Sequence, residues 1–362
     1  MRLSIRPTAL VIANVLALTA CSSGASPSPS AAVSADPSAP ASAPASAEAS
    51  ESPSGTVTIY AGRSEELVGP LIEEFRTGTG VDVKVEYAGT TDLAATILEE
   101  GEASPADVFF AQDAGALGAV AAEGRLAELP AETLGKIDSR FVSDAGQWVG
   151  ISGRARVVIY DTRALDASER PTTIAAFTDP AWKGRIGWAP TNASLQSFVT
   201  AFRVLEGDAA AKAWLEGIQV NEPKVYDGND AVLAAVAAGE VEVGFVNHYY
   251  LMRQLAEQGE SFPVRNHFLP GGDPGSLVNV AGAGILSTAP NPVAAQAFID
   301  FLLTEESQTY FAEETYEYPL VAGVTADPAL PALSEIQSPD IDLSDLADLE
   351  GTLELMQEAG AL

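Results

Sequence analysis

Residues Thr56–Tyr87 read TVTIYAGRSEELVGPLIEEFRTGTGVDVKVEY, and the fold class turns on how this run is parsed. Thr56–Tyr60 is a short apolar, β-branched stretch that predicts a buried strand. Gly62 and Ser64 then allow a helix to start. Over Glu65–Thr77 the apolar residues Leu67, Leu71, Ile72 and Phe75 recur at helical spacing. Gly78-Thr79-Gly80 closes that helix, and Val81–Tyr87 alternates as a second strand. Strand, helix and strand in this order predict an α/β unit with a mainly parallel sheet.

The pattern continues outward. Thr91–Glu100 reads as a helix and Ala106–Phe110 as a third strand. After Trp148-Val149-Gly150 a second series follows, with strand signals at Arg156–Tyr160, Arg185–Trp188, Lys224–Tyr226 and Val241–Val246. Helical patterns lie between them at Leu195–Leu205, Ala209–Ile218 and Asp230–Ala238. The turn-rich Leu269–Ser276 leads into Val278–Leu286, and Pro292–Leu303 and Glu305–Phe311 read as helices. This predicts two α/β lobes around a cleft: residues 55–153 in the first, 154–278 in the second, and 279–362 returning to the first with C-terminal helices. Ligands of open α/β sheets sit beyond the carboxyl ends of strands, so strand-terminal residues are the place to look.

The amino terminus carries Arg2 and Arg6, then an apolar run from Ala9 to Ala20 that is short for a membrane span of about 20 residues. Leu18-Thr19-Ala20-Cys21 resembles a lipoprotein lipobox, which implies a signal peptide over residues 1–20 and a lipid anchor on Cys21. Cys21 is the only cysteine, so the mature chain has no internal disulfide. Residues 21–54 are Ala-, Ser- and Pro-rich and read as a tether that cannot bury enough apolar surface to order itself. The 19 basic and 50 acidic residues give a net charge of −31, which excludes a nucleic-acid role because a phosphate backbone is repelled.

At residues 247–250 the chain reads NHYY, where an apolar strand ends and a helical pattern begins. Adjacent tyrosines at a strand end are either packing residues or two phenolate oxygens for a hard cation.

Several stretches together carry a family resemblance. Thr56–Tyr87, GEASPADVFFAQDAGALGAVAAEGRL, WVGISGRARVVIYDT, IGWAPTNASLQSFVTAFRVLEG, YDGNDAVLAAVAAGEVEVGFVNHYYLMR and ETYEYPL resemble, in order, the ferric-iron-binding proteins of bacterial ABC importers. The resemblance covers nearly all of Thr56–Leu320. It implies the periplasmic-binding-protein fold, two lobes joined by crossover strands, with Fe(III) as the transported ligand. It further implies a monomeric receptor, extracytoplasmic and membrane-attached through Cys21, that serves a permease and its ATPase. Tyr249 and Tyr250 match the family's phenolate ligands. Ser64 stands where many relatives carry a histidine ligand, and Gln112, next to Asp113, where some carry a carboxylate. A synergistic carbonate or phosphate is therefore implied, with Arg154 and Arg63 as its guanidinium partners and Asn192, Asn229 and Asn247, beside Ser194, as hydrogen-bonding positions. Tyr60 and Tyr160 are alternatives for a third phenolate.

Each assignment has a plainer counterpart. Arg154 can neutralise nearby carboxylates, Arg63 can pair with Glu65 or Glu66, and the asparagines can cap helices. His248 is expected to support the site from behind, because strand neighbours point to opposite faces. Trp148, Trp182, Trp188 and Trp214 read as lobe packing. The same fold binding a polyamine, thiamine, a phosphonate or another anion without iron is the competing reading. An enzyme is not expected, since G-x-S-x-G, H-E-x-x-H and P-loop motifs are all missing.

Overall fold

The long strand Val149–Asp161 organises the molecule, because it changes partners half-way along. In the computed structural model, which describes residues 52–362, ten strands form one sheet. They are β1 (Thr56–Ala61), β2 (Asp82–Tyr87), β3 (Val108–Ala111), β4 (Val149–Asp161), β5 (Ile186–Trp188), β6 (Lys224–Val225), β7 (Val243–Asn247), β8 (Val264–His267), β9 (Val278–Ile285) and β10 (Tyr318–Pro319). The main path runs β2-β1-β3-β9-β4-β7-β5-β6, with β8 and β10 also paired to β4. The signal peptide, Cys21 and nearly all of the tether lie outside the described residues.

Residues Val149–Ala155 of β4 pair with β9, and Arg156–Asp161 pair with β7 and β8. One lobe is thus built on β1–β3 and the other on β5–β7, with β4 and β9 passing between them. The expected mainly parallel sheet is corrected to a mixed one. Its four parallel pairings are β1 with β2 and β3, and β5 with β6 and β7. Every pairing of β4 and β9 is antiparallel. The physical reason is that both connecting strands return through the sheet rather than crossing over a helix. The strand expected at Arg156–Tyr160 is the second half of β4, and β8 and β10 had no separate expectation.

Eleven helices complete the fold: α1 (Glu65–Thr79), α2 (Thr90–Glu100), α3 (Ala114–Ala122), α4 (Ala131–Leu134), α5 (Ala193–Glu206), α6 (Asp208–Val220), α7 (Asn229–Ala238), α8 (Tyr249–Gln258), α9 (Pro292–Leu302), α10 (Glu305–Glu313) and α11 (Leu349–Glu358). The face of α1 read from sequence is buried, and Phe75 meets Phe298 of α9 edge-on at 5.2 Å between centroids. In the other lobe Trp188, Trp214, Phe198, Phe177 and Phe245 form one apolar cluster. All four tryptophans are buried. The chain's end straps both lobes: Leu343 and Leu346 join the cluster around α3, while Met356 of α11 joins that around α5 and α6.

Candidate functional site

Strand β7 stops at Asn247, and the backbone turns into α8 at His248, so Tyr249 and Tyr250 are the first two residues of a helix. The alternation expected to place His248 behind the tyrosines does not apply, because His248 is already helical in φ and ψ. Its position comes from hydrogen bonds instead. The Ala155 N–H donates to His248 Nδ1 at 3.1 Å, and Nε2 lies 2.8 Å from the Tyr316 carbonyl. A carbonyl only accepts, so Nε2 carries the proton and the ring is neutral. Burial pulls its pKa down to about 4. With both ring nitrogens committed, His248 holds β4 and the segment before β10 together and has no lone pair for a metal.

The tyrosine rings stack at 4.3 Å between centroids and 26° between planes, and both are buried. Burial, then the neighbouring Tyr249 hydroxyl, pushes the Tyr250 phenol well above its ordinary range. A phenol so placed stays neutral until a cation displaces its proton. The helix N-terminus beneath the pair favours the anionic form once it exists.

Three arginines face this pair. Arg63 sits in the turn after β1, where Gly62 is required: a Cβ there would come within 1.9 Å of Thr90 Oγ1. Arg63 Nη2 donates to Glu317 Oε1 at 2.7 Å, not to Glu65 or Glu66, and both partners are fully buried. Burial opposes the Arg63 charge, and Glu317 with the nearby tyrosines more than restores it. Arg154 and Arg156 lie two apart on β4 and so share a face. Arg154 donates to the Gln112 carbonyl. Arg156 donates to the Phe245 carbonyl at 3.0 Å, approaches Ser194 Oγ at 3.4 Å and lies over the Phe198 ring, with no carboxylate partner. Burial pulls its pKa down to about 9, so it remains charged at neutral pH.

Helix starts complete the site. Asn192 caps α5, its Oδ1 accepting from Ser194 N at 3.0 Å and from Ser194 Oγ at 2.6 Å. Asn229 opens α7 and donates to Ser194 Oγ at 3.3 Å. Asp113 caps α3 and lies beside Arg154; burial, only partly offset by Arg154, pushes its carboxyl up to about 6. Among the described residues, eleven buried side-chain polar atoms lack a partner, and seven belong to Arg63, Arg154, Asp113, Asn229 and Asn247. Five of those seven are nitrogen donors, on Arg63, Arg154 and Asn247. Clustered buried donors without acceptors cost about 1–3 kcal/mol each, so the arrangement is suited to an oxyanion that accepts from several at once.

The structure therefore brings Tyr249, Tyr250, Arg63, Arg154, Asn192, Asn229 and Asn247 to one region. It does not bring the alternatives for a third phenolate there. Tyr60 donates to Glu100 at 2.9 Å, and burial and then Glu100 push it up to about 12. Tyr160 accepts from Arg170 at 3.1 Å. Ser64 is exposed at the start of α1. Arg156 and Glu317 were missed. The two-residue spacing of GRAR could have found Arg156; nothing local could have found Glu317, which meets Arg63 only in three dimensions.

A stacked, buried tyrosine pair within an arginine cluster, between two α/β lobes, matches known proteins throughout. The family model for bacterial extracellular solute-binding proteins matches residues 70–337. The chain is 34% identical over 307 residues to the major ferric iron-binding protein of Neisseria meningitidis serogroup B, covering 84% of this chain and 92% of that one. The chain belongs to the ferric iron-binding family of bacterial extracellular solute-binding proteins. Iron-bound HitA from Pseudomonas aeruginosa superposes with a TM-score of 0.81 at 34% identity, covering 84% of this chain and 99% of that one. A Trichodesmium family member, solved in complex with iron and citrate ligands, superposes with a TM-score of 0.71 at 30% identity, covering 85% and 100%. Among the described residues of this solute-binding protein, no helix is long and apolar enough to cross a membrane.

Proposed function

We propose that this solute-binding protein captures Fe(III) between its lobes and presents it to an ABC-importer permease and its ATPase. Tyr249 and Tyr250 supply phenolate oxygens to the metal, since a hard trivalent cation prefers anionic oxygen and deprotonates a phenol outright. A synergistic oxyanion, such as carbonate or phosphate, completes the coordination. Arg154, Arg63 and Arg156 hold its charge, and Asn192, Asn229 and Asn247 contribute hydrogen bonds. We assign residues 55–153 and 279–362 to one lobe and residues 154–278 to the other, with lipidation at Cys21 tethering a monomer to the membrane. The observation that carries this reading is the stacked Tyr249–Tyr250 pair, fully enclosed and faced by unpaired guanidinium donors. Pure packing explains the rings but not the surrounding donors.

Titration of the apo protein with a ferric salt in carbonate buffer tests the reading by visible absorbance. A tyrosinate-to-iron charge-transfer band is expected, and the Tyr249→Phe/Tyr250→Phe double variant is expected to lack it. The three buried arginines also favour a second reading, an anion bound without iron. A calorimetric panel of anions in rigorously iron-free buffer distinguishes the two: tight anion binding with no absorbance band on iron addition supports the second.

A further inference from the structure

We propose that the buried Arg63–Glu317 ion pair sets the charge of the anion that accompanies iron, making the cleft selective for a doubly charged oxyanion. This rests on the proposed iron-binding function. Arg63 and Glu317 are each essentially inaccessible, at 1% and 0% side-chain exposure, and 2.7 Å apart. Glu317 is fixed from its other oxygen, which accepts from Ser152 Oγ of β4 at 2.7 Å. Arg63 is thereby held with Nε and Nη1 uncommitted and with both tyrosines in electrostatic reach.

The buried charges can then be counted. The guanidiniums of Arg63, Arg154 and Arg156 face the carboxylates of Glu317 and Asp113, leaving one positive charge. Iron with two phenolates brings one more. In a closed, low-dielectric site a doubly charged anion neutralises the total, a singly charged one leaves a cation uncompensated, and a triply charged one overshoots. Glu66, Asp230 and Arg253 stand at the rim, where the two carboxylates are exposed and solvent screens them. Arg63 is thus the residue that raises the preferred anion charge, and Glu317 the residue that limits it.

Arg63→Gln and Glu317→Gln shift the count in opposite directions, and the Arg63→Gln/Glu317→Gln double variant restores it. The full chain and these three variants, each checked by thermal melting, are loaded from ferric nitrilotriacetate. They are then exchanged at pH 8 into acetate, carbonate, phosphate or citrate. The charge-transfer band and the rate of iron loss to EDTA are read. The wild type and the double variant are expected to retain iron longest in carbonate and phosphate. Arg63→Gln is expected to shift toward acetate and Glu317→Gln toward citrate, each by at least about tenfold in relative rate. An identical anion order in all four proteins overturns the proposal, because a merely structural pair weakens every complex alike. Absence of the band in the wild type with every anion overturns the iron reading and this inference with it.

Discussion

At the level of single residues, the site is a set of buried groups whose ordinary ionisation has been moved. Tyr250 is held neutral by burial and by its stacked neighbour, so metal binding must release its proton. Tyr250→Phe is expected to weaken iron binding by at least about 100-fold while leaving the fold intact, since even residues that only orient a ligand are worth 10–100-fold. Competition with a chelator measures it. Asp113 and His248 act on stability in opposite senses. The Asp113 carboxyl is raised to about 6, so its contribution is fullest below its unfolded pKa and is lost as pH rises through about 6. His248 is lowered to about 4, so its contribution is present above its unfolded pKa and is lost as pH falls from about 6.5 toward 4. The two oppose each other over the same window. Asp113→Asn, which keeps the α3 cap, is expected to leave stability climbing with pH between about 4 and 6.5, by roughly 3 kcal/mol more than in the wild type. Denaturant midpoints across that range test it. Tyr249 and Tyr250 were legible from NHYY once set in the whole pattern. Glu317 was not, because an ion pair between the ends of a folded chain leaves no local trace.

Among the elements, β7 and α7 place the tyrosines, and they do so by close approach. Gly244 lies under α7, where a Cβ would come within 2.4 Å of Val232 Cγ1 and 3.2 Å of Ile159 Cγ1. Gly244→Ala is expected to cost about 1–3 kcal/mol through overpacking and to lower iron affinity together with stability, as α7 and Asn229 are pushed away from α8. Thermal melts and iron titration of the same variant check this. The strand and helix existence read from hydrophobic periodicity matches the structure closely from β1 to α10. What periodicity left out was the extent of β4, because its first half, Val149–Ala155, contains glycines and a polar Ser-Gly-Arg run that looks like a loop. Only its pairing with β9 makes that run a strand. His248 likewise follows from the turn between β7 and α8, not from strand alternation.

The molecule as a whole joins its lobes through contacts that an opening motion must break. Across the cleft Arg253 of α8 pairs with Glu66 of α1, and Thr91 of α2 donates to Gln196 of α5 at 2.8 Å. Asn279 of β9 donates to Ser197 Oγ at 2.7 Å. The arginines beneath these contacts oppose closure until an anion neutralises them, so iron and anion together favour the closed form by differential contact. Small-angle scattering is expected to give a larger radius of gyration for the iron-free protein than for the iron-loaded one. An unchanged value contradicts closure on the ligand. The sequence by itself determined the α/β class, the order of elements, the acidic character that excludes nucleic acid, and the tyrosine pair as the centre of interest. Each of these depends on local periodicity, composition or a contiguous motif. The tertiary structure alone decided which arginines face the pair, that Arg156 and Glu317 belong with them, and that Tyr60 and Tyr160 do not. Those facts depend on contacts between distant segments, and burial then sets the charge that each group carries.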